Sequence, residues 1–283
     1  MPIRFVCDST ADLGDEYIKQ HSVTTVPLRV IFGEEELRDH YDIQPADFYE
    51  RMKSDVAPRT SQPTPTDFET VFREATDDGS TVICTTISSD LSGTWSSATT
   101  ARQELADRDI RIIDTRTVSV CHNAIVQAAV SLGEAGADPD RIVETIEELM
   151  KHQRLVFAVD TLEYLRRGGR IGGASAMLGS LLSIKPVLQV KDGKVDALDK
   201  VRTFSRAIDR LLSELEAAKQ EWGSAEAMVA HAANPDLAAE LADRASQITG
   251  SEVPVIWVGP VLGCHGGPGA MGLGFNQPLA SPN

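Results

Sequence analysis

"IRFVCDSTADLGDEYIKQHSVTTVPLRVIF", running from Ile3 to Phe32, decides the fold class. A short apolar run, "IRFVCD", gives way to a hydroxyl-bearing loop and then to the charged, periodic "ADLGDEYIKQH", after which β-branched residues return in "TTVPLRVIF". Short runs rich in Val, Ile, Thr and Phe between turn residues read as strands, and the segment between them as a helix. The same alternation continues through "TVICTTIS", the helical "TWSSATTARQELA", "IRIID" and a helix from about Val118 to Leu132. "DPDRIVETIEELMKHQ" then carries a helix start and places Ile142, Ile146 and Leu149 on one face. Strands that alternate with helices specify an α/β layered fold with a largely parallel sheet.

Beyond about residue 155 the texture changes. "RLVFAVDTLEYLRRGGRIGG" reads as strand, short helix and glycine-rich turn, and "VLQVKDGKVDAL" as a hairpin whose Asp192-Gly193 suits a two-residue type I′ turn. A long helix from about Ser205 to Glu221, a strand near "AMVAHAA", a helix over "PDLAAELADRASQI" and a closing pair of strands, "VPVIWVGPVL" and "GAMGLGF", complete an α+β pattern. The expected division is therefore an N-terminal α/β domain over residues 1–155 and a smaller C-terminal α+β domain over residues 156–283, with "PLASPN" as a tail.

Composition narrows the function classes. With 283 residues, 42% of them hydrophobic, the chain can build two cores. A net charge of −15 repels phosphate backbones and anionic membrane surfaces, so no nucleic-acid partner is expected, and an anionic ligand needs local donors. No apolar run reaches the roughly 18 residues of a membrane span, and the apolar stretch before Asp8 is too short for a signal peptide, which points to a cytoplasmic protein. Cys7, Cys84, Cys121 and Cys264 are widely spaced without a CxxC, the pattern of buried free thiols rather than of a disulfide or metal site.

In an open α/β sheet ligands gather outside the carboxyl ends of the strands. The loops expected there are "DSTADL" (Asp8–Leu13), "SSDLSGTWSSA" (Ser88–Ala98) and "DTRT" (Asp114–Thr117), all rich in hydroxyls. In "SSDLSGTW", Ser92, Thr94 and the amides of a following helix can aim donors at one point, and Gly93 permits close backbone approach. Ser88, Ser89 and Thr94 read equally as caps and turn formers, and Ser9 or Thr10 as the N-cap of a helix near Ala11. "RTSQPTPTDFETVF" (Arg59–Phe72) holds a capping box of Thr66 with Glu69, entered through Pro65, which leaves Thr60, Ser61 and Gln62 without a structural task.

Near the carboxyl end, "GCHGGPGAMGLGF" sets His265 in a constrained loop, where it can donate to an anion, act as a base or be purely structural. A Cys264–His265 hydrolase is disfavoured because neighbours in an extended segment point to opposite faces. Ser92 with His265 is the better hydrolase pair, although no GxSxG elbow and no assigned acid accompany them. "EYLRRGGRIGGASAMLGSLLSIKP" combines Arg166, Arg167 and Arg170 with "ASAMLGSLL", a segment suited either to core or to the wall of a slim apolar tunnel. Its glycines match no nucleotide-binding fingerprint. Lys185 and Arg202 are isolated cations.

Together "DSTADL", "TSQPTP", "SSDLSGTWSSA", "DTLEYLRRGGRIG", "LLSIKPVLQVKDGKV" and "HGGPGAMG" occur in the order and approximate spacing of the DegV family, which this chain resembles over nearly its whole length. These are bacterial fatty-acid-binding proteins that include the FakB subunits of fatty acid kinase. Trp95 and Ser96 stand where that family commonly has Tyr and Gln. The resemblance implies a two-domain fold with a fatty acid in a tunnel between the domains. It implies a carboxylate held by Thr60 and Ser92, with His265, Ser61, Gly93 and Thr94 near the head group, and Arg170 and Arg202 facing a partner. The chain would then be a carrier with no catalytic residue, no metal and no cofactor of its own, presenting its lipid to a separate ATP-dependent kinase. The other classes left open are a serine-dependent acyl hydrolase or transferase and a lipid-responsive regulatory module.

Overall fold

The computed structural model describes residues 2–53, 57–179 and 184–279. The first half runs β1 (Ile3–Asp8), a 3-10 turn (Ser9–Ala11), α1 (Asp15–His21), β2 (Thr24–Val26), β3 (Arg29–Phe32), β4 (Glu35–Arg38), α2 (Pro45–Arg51), β5 (Arg59–Ser61), α3 (Pro65–Thr76), β6 (Thr81–Thr86), α4 (Thr94–Gln103), β7 (Ile110–Asp114), α5 (Ser119–Glu134) and α6 (Pro139–Lys151). The second runs β8 (Gln153–Ala158), α7 (Glu163–Arg167), a 3-10 segment (Gly172–Met177), β9 (Lys185–Lys191), β10 (Lys194–Val201), α8 (Phe204–Trp222), β11 (Glu226–His231), α9 (Pro235–Thr249), β12 (Val255–Trp257), α10 (Pro260–Gly266) and β13 (Met271–Asn276).

The expected parallel sheet is present, in the order β2-β1-β6-β7. Its strands are apolar on both faces because helices cover both. Val6, Val82 and Cys84 pack with Phe68 and Phe72 of α3 and Ala98 of α4, whereas Phe5, Cys7 and Ile83 pack with Ile125 of α5 and Ile142 and Ile146 of α6. The second sheet is mixed, in the order β10-β9-β8-β13-β11-β12, and the 155/156 division falls within its strand β8. One of its faces is filled by Ile208, Leu211 and Leu215 of α8 and Leu241 of α9. The other, carrying Leu155, Phe157, Val190 and Ala230, turns toward the N-terminal half. All four cysteines are buried and unbridged.

Several local readings are corrected. "TTVPLRVIF" is two strands: Pro27, which lacks an N–H, ends β2, and β3 leaves for a separate three-stranded antiparallel sheet, β4-β3-β5. The capping box on α3 is Thr64 with Asp67, not Thr66 with Glu69; Asp67 N donates to Thr64 Oγ1 at 3.2 Å, and Thr64 N to Asp67 Oδ2 at 2.8 Å. Pro65 occupies the first helical position, which makes the residue before it the cap. Asp8, rather than Ser9 or Thr10, caps the first turn, accepting from Thr10 N and Thr10 Oγ1. β12 and β13 do not pair with each other, since β11 lies between them, and "GPVL" opens α10. Cys264 and His265 are therefore helical, not extended. The β9–β10 hairpin is as expected, with Asp192 and Gly193 both left-handed at φ 49° and 81°. Ser180–Leu182 of "ASAMLGSLL" and the last four residues of the tail lie outside the described residues.

Candidate functional site

The inner face of the six-stranded sheet and the loops of the N-terminal half enclose a cavity of about 390 Å³, within the roughly 300–1,000 Å³ common for small-molecule sites. Its floor is Leu155, Phe157, Val190, Val195, Ala230 and Gly272; Ile87, Leu91, Val118 and Val120 close it from the opposite side. Apolar side chains dominate this lining.

Several polar side chains gather around Thr60 and His265. Thr60 sits on β5 paired with Val30, so its position is set by a sheet that the sequence pattern did not reveal. From there Thr60 Oγ1 lies 2.9 Å from Nε2 of His265, which α10 delivers from 205 residues away. Ser92 lies on the turn before α4, its Oγ 2.8 Å from Oγ1 of the fully buried Thr94. Thr60, Ser61, Gln62, Ser92, Arg170 and His265 all line the cavity. Arg170 joins them through its Nε, which donates to the carbonyl of Leu91 at 2.9 Å, and its Nη1, which donates to that of Gly168 at 2.7 Å. Among the described residues Arg170 has no carboxylate partner, and it is exposed at the edge of the cavity.

The remaining candidates are not brought to the lining. Thr94 supports Ser92 from beneath. Gly93 acts through what it lacks, since a Cβ there would lie 2.1 Å from Oε1 of Gln62. That contact identifies Gln62, whose Nε2 donates to Ser97 Oγ at 3.2 Å, as a site residue to which the sequence reading gave no role. Arg202 is exposed beyond the far end of β10, seven residues past Val195, and is not part of the lining. Trp95 also lies outside it.

Burial pushes the His265 imidazole down to about 4, with the Arg170 charge adding to the effect, so the ring is neutral at physiological pH. Its Nδ1 is buried and has no hydrogen-bond partner among the described residues. A neutral ring that donates from Nε2 to Thr60 Oγ1 leaves the Thr60 hydroxyl proton free to donate into the cavity. His265 meets Thr60 rather than Ser92, and among the described residues no carboxylate orients it, unlike the base of a serine triad. Burial also raises the Cys264 thiol far above its ordinary value, which keeps it un-ionised.

The other hydroxyl loops hold the cavity together. Ser88 Oγ donates to the carbonyl of Gly193 at 2.7 Å, and Arg116 binds the Asp192 carbonyl, Asp90 and Asp114, which ties the β9–β10 tip to the N-terminal half. "DSTADL" secures α10. Asp12 Oδ1 accepts from Gly259 N at 3.0 Å, with His40 Nε2 at 3.2 Å, and Asp39 Oδ1 accepts from Val261 N at 3.2 Å while Ser9 Oγ donates to its other oxygen at 2.7 Å.

A mostly apolar cavity that also carries hydroxyls, a neutral imidazole and the Arg170 guanidinium suits an amphipathic small molecule. Residues 2–277 match the family model described as "Uncharacterised protein, DegV family", and the chain belongs to the DegV family. A DegV domain-containing protein of Streptomyces coelicolor is 36% identical over 274 residues, covering 96% of this chain and 97% of the relative. Among solved structures, a fatty-acid-binding DegV family protein from Thermus thermophilus superposes with a TM-score of 0.93 at 35% identity, over 98% of this chain and all of that one. A stearic-acid-binding protein from Eubacterium ventriosum superposes with a TM-score of 0.91 at 29% identity, over 98% of each chain. No helix among the described residues is long and apolar enough to cross a membrane, and no group of three or more His, Cys, Asp or Glu among them could hold a metal ion.

Proposed function

We propose that this chain is a carrier that binds a long-chain fatty acid in the cavity and presents its carboxylate to a partner kinase for acyl-phosphate formation. The observation that carries the reading is the grouping of Thr60, Ser61, Ser92 and the neutral His265 in a mostly apolar lining. It is supported by the ligands named for the Thermus and Eubacterium structures. A tail of roughly 14 methylenes at about 0.8 kcal/mol each offers on the order of 10 kcal/mol before the entropic cost of binding. Hydroxyls donating to the carboxylate add about 1.5–3 kcal/mol each and fix the direction of the head group. Hydroxyls do so without the tight ion pair that would blunt the carboxylate as a nucleophile toward ATP. Arg170 lies at the edge of the cavity and suits the partner's approach, with Arg202 as a second, more distant contact.

The test is direct. Denaturing extraction of the purified protein followed by mass spectrometry is expected to release a fatty acid at near one equivalent, and the Thr60→Ala/Ser92→Ala variant to be largely empty while still folded. A consistently empty wild-type cavity sinks the reading. Addition of an ATP-dependent fatty acid kinase to the loaded protein should then yield acyl phosphate. Hydrolysis of acyl esters or thioesters that stops with Ser92→Ala would establish the hydrolase reading instead, and partner binding that follows lipid occupancy without acyl transfer would establish a regulatory module.

A further inference from the structure

β13 carries two glycines, Gly272 and Gly274, on the face that turns away from α8 and α9, and the two glycines are there for different reasons. A Cβ on Gly274 would come within 2.5 Å of Val120 Cγ2 and 2.9 Å of Cys121 Sγ, so the closeness of α5 to the sheet explains that glycine. A Cβ on Gly272 would meet nothing nearer than Phe157 Cβ at 3.7 Å and Leu155 Cδ1 at 3.9 Å, which is ordinary contact. Gly272 is not at positive φ either. It sits mid-strand, paired with Ala230 on one side and Phe157 on the other, where any β-branched residue would strengthen the sheet. Glycine in a strand interior forfeits conformational entropy and packing, and often marks a place where a ligand comes close to the backbone. Neither packing, backbone conformation nor strand propensity accounts for it. What a side chain at Gly272 would enter is the cavity, whose floor it helps to form with Leu155, Phe157 and Ala230.

We infer that Gly272 is a specificity-determining residue for the ligand tail: its missing side chain is the width that lets a long alkyl chain cross the sheet floor past Leu155, Phe157 and Ala230. This rests on the fatty-acid reading above and adds which residue selects among fatty acids. Ala at 272 fills part of that width, and Val fills more and prefers the strand. Short chains, which end before the floor, are spared.

The experiment compares delipidated wild type, Gly272→Ala and Gly272→Val for affinity toward hexadecanoic and decanoic acids by calorimetric titration, together with thermal midpoints of the ligand-free proteins. The expected result is about a tenfold loss of hexadecanoic-acid affinity for Gly272→Ala, a larger loss for Gly272→Val, and little change for decanoic acid. The ligand-free midpoints should be unchanged or higher. Equal losses for both acids with a lowered midpoint would make Gly272 a structural residue, and unchanged affinities in both variants would remove it from the ligand path; either overturns the inference. If wild type binds neither acid, the fatty-acid reading fails first and this inference falls with it. Binding by wild type with unaltered selectivity in the variants defeats this inference alone.

Discussion

Thr60 and His265 form one hydrogen-bonded pair. With the imidazole neutral and bonded to Thr60 Oγ1, replacing Thr60 by Val removes the hydroxyl and strands a buried ring nitrogen, whereas Ser keeps both. Thr60→Val should weaken fatty-acid binding by about 1.5–3 kcal/mol, roughly 10- to 150-fold, and Thr60→Ser by much less, as read by titration. His40 sets a different dependence. Burial opposes its charge, but the hydrogen bond the ring donates to Asp12 and the nearby charges of Asp39, Asp12 and Asp15 outweigh that and raise it to about 9. Because this folded value lies above the ordinary histidine range, its contribution is fully present below about pH 6.5 and is lost as pH rises through about 9. The thermal midpoint of wild type should therefore fall between pH 7 and 10 more steeply than that of His40→Gln. Parallel curves would show that the pair is not linked to stability.

The hairpin β9–β10 is the element whose behaviour is easiest to isolate. Its tip is held by Ser88 and Arg116 through backbone carbonyls, and its Val190 and Val195 form part of the cavity wall. Arg116→Ala should leave the equilibrium fold intact but speed dissociation of a bound fatty acid several-fold in stopped-flow exchange, because the wall is no longer pinned across the two halves. The hairpin was legible in the sequence because Asp192-Gly193 chooses its turn chemically. So were the buried strands β1 and β6 and the helices α3 to α6, with the apolar periodicity clear in α3 and α6 and weak in α4 and α5. β5 was not: three residues, "RTS", have no period to read and become a strand only because β3 supplies a partner edge. The capping box was displaced by two residues because both Thr64 and Thr66 precede an acidic residue by three, and only Pro65 at the first helical position separates them. Thr60, Ser92 and His265 were nameable from the family motifs, while Gln62's place against Gly93 and the openness at Gly272 depend on packing between distant segments.

Over the whole molecule, ligand and fold are thermodynamically joined, since the cavity is lined from both halves of the chain. A ligand bound only by the folded state at about 100 times its Kd adds about 2.7 kcal/mol, or about 5 °C for a chain of this size, so delipidation should lower the midpoint by that order and readdition of hexadecanoic acid should restore it. The anchoring of α10 has a mechanical corollary. Although α10 lies between two strands of the C-terminal sheet in sequence, its entry is bonded to Asp12 and Asp39, Tyr49 Oη donates to the Val258 carbonyl, and Val261 and Cys264 pack on Leu28, Val30 and Phe48. The same residues of α10 also pack with Leu165 of α7, Leu188 of β9 and Val195 of β10, so His265 is clamped between the two halves of the chain, and loosening either side would disturb its bond to Thr60.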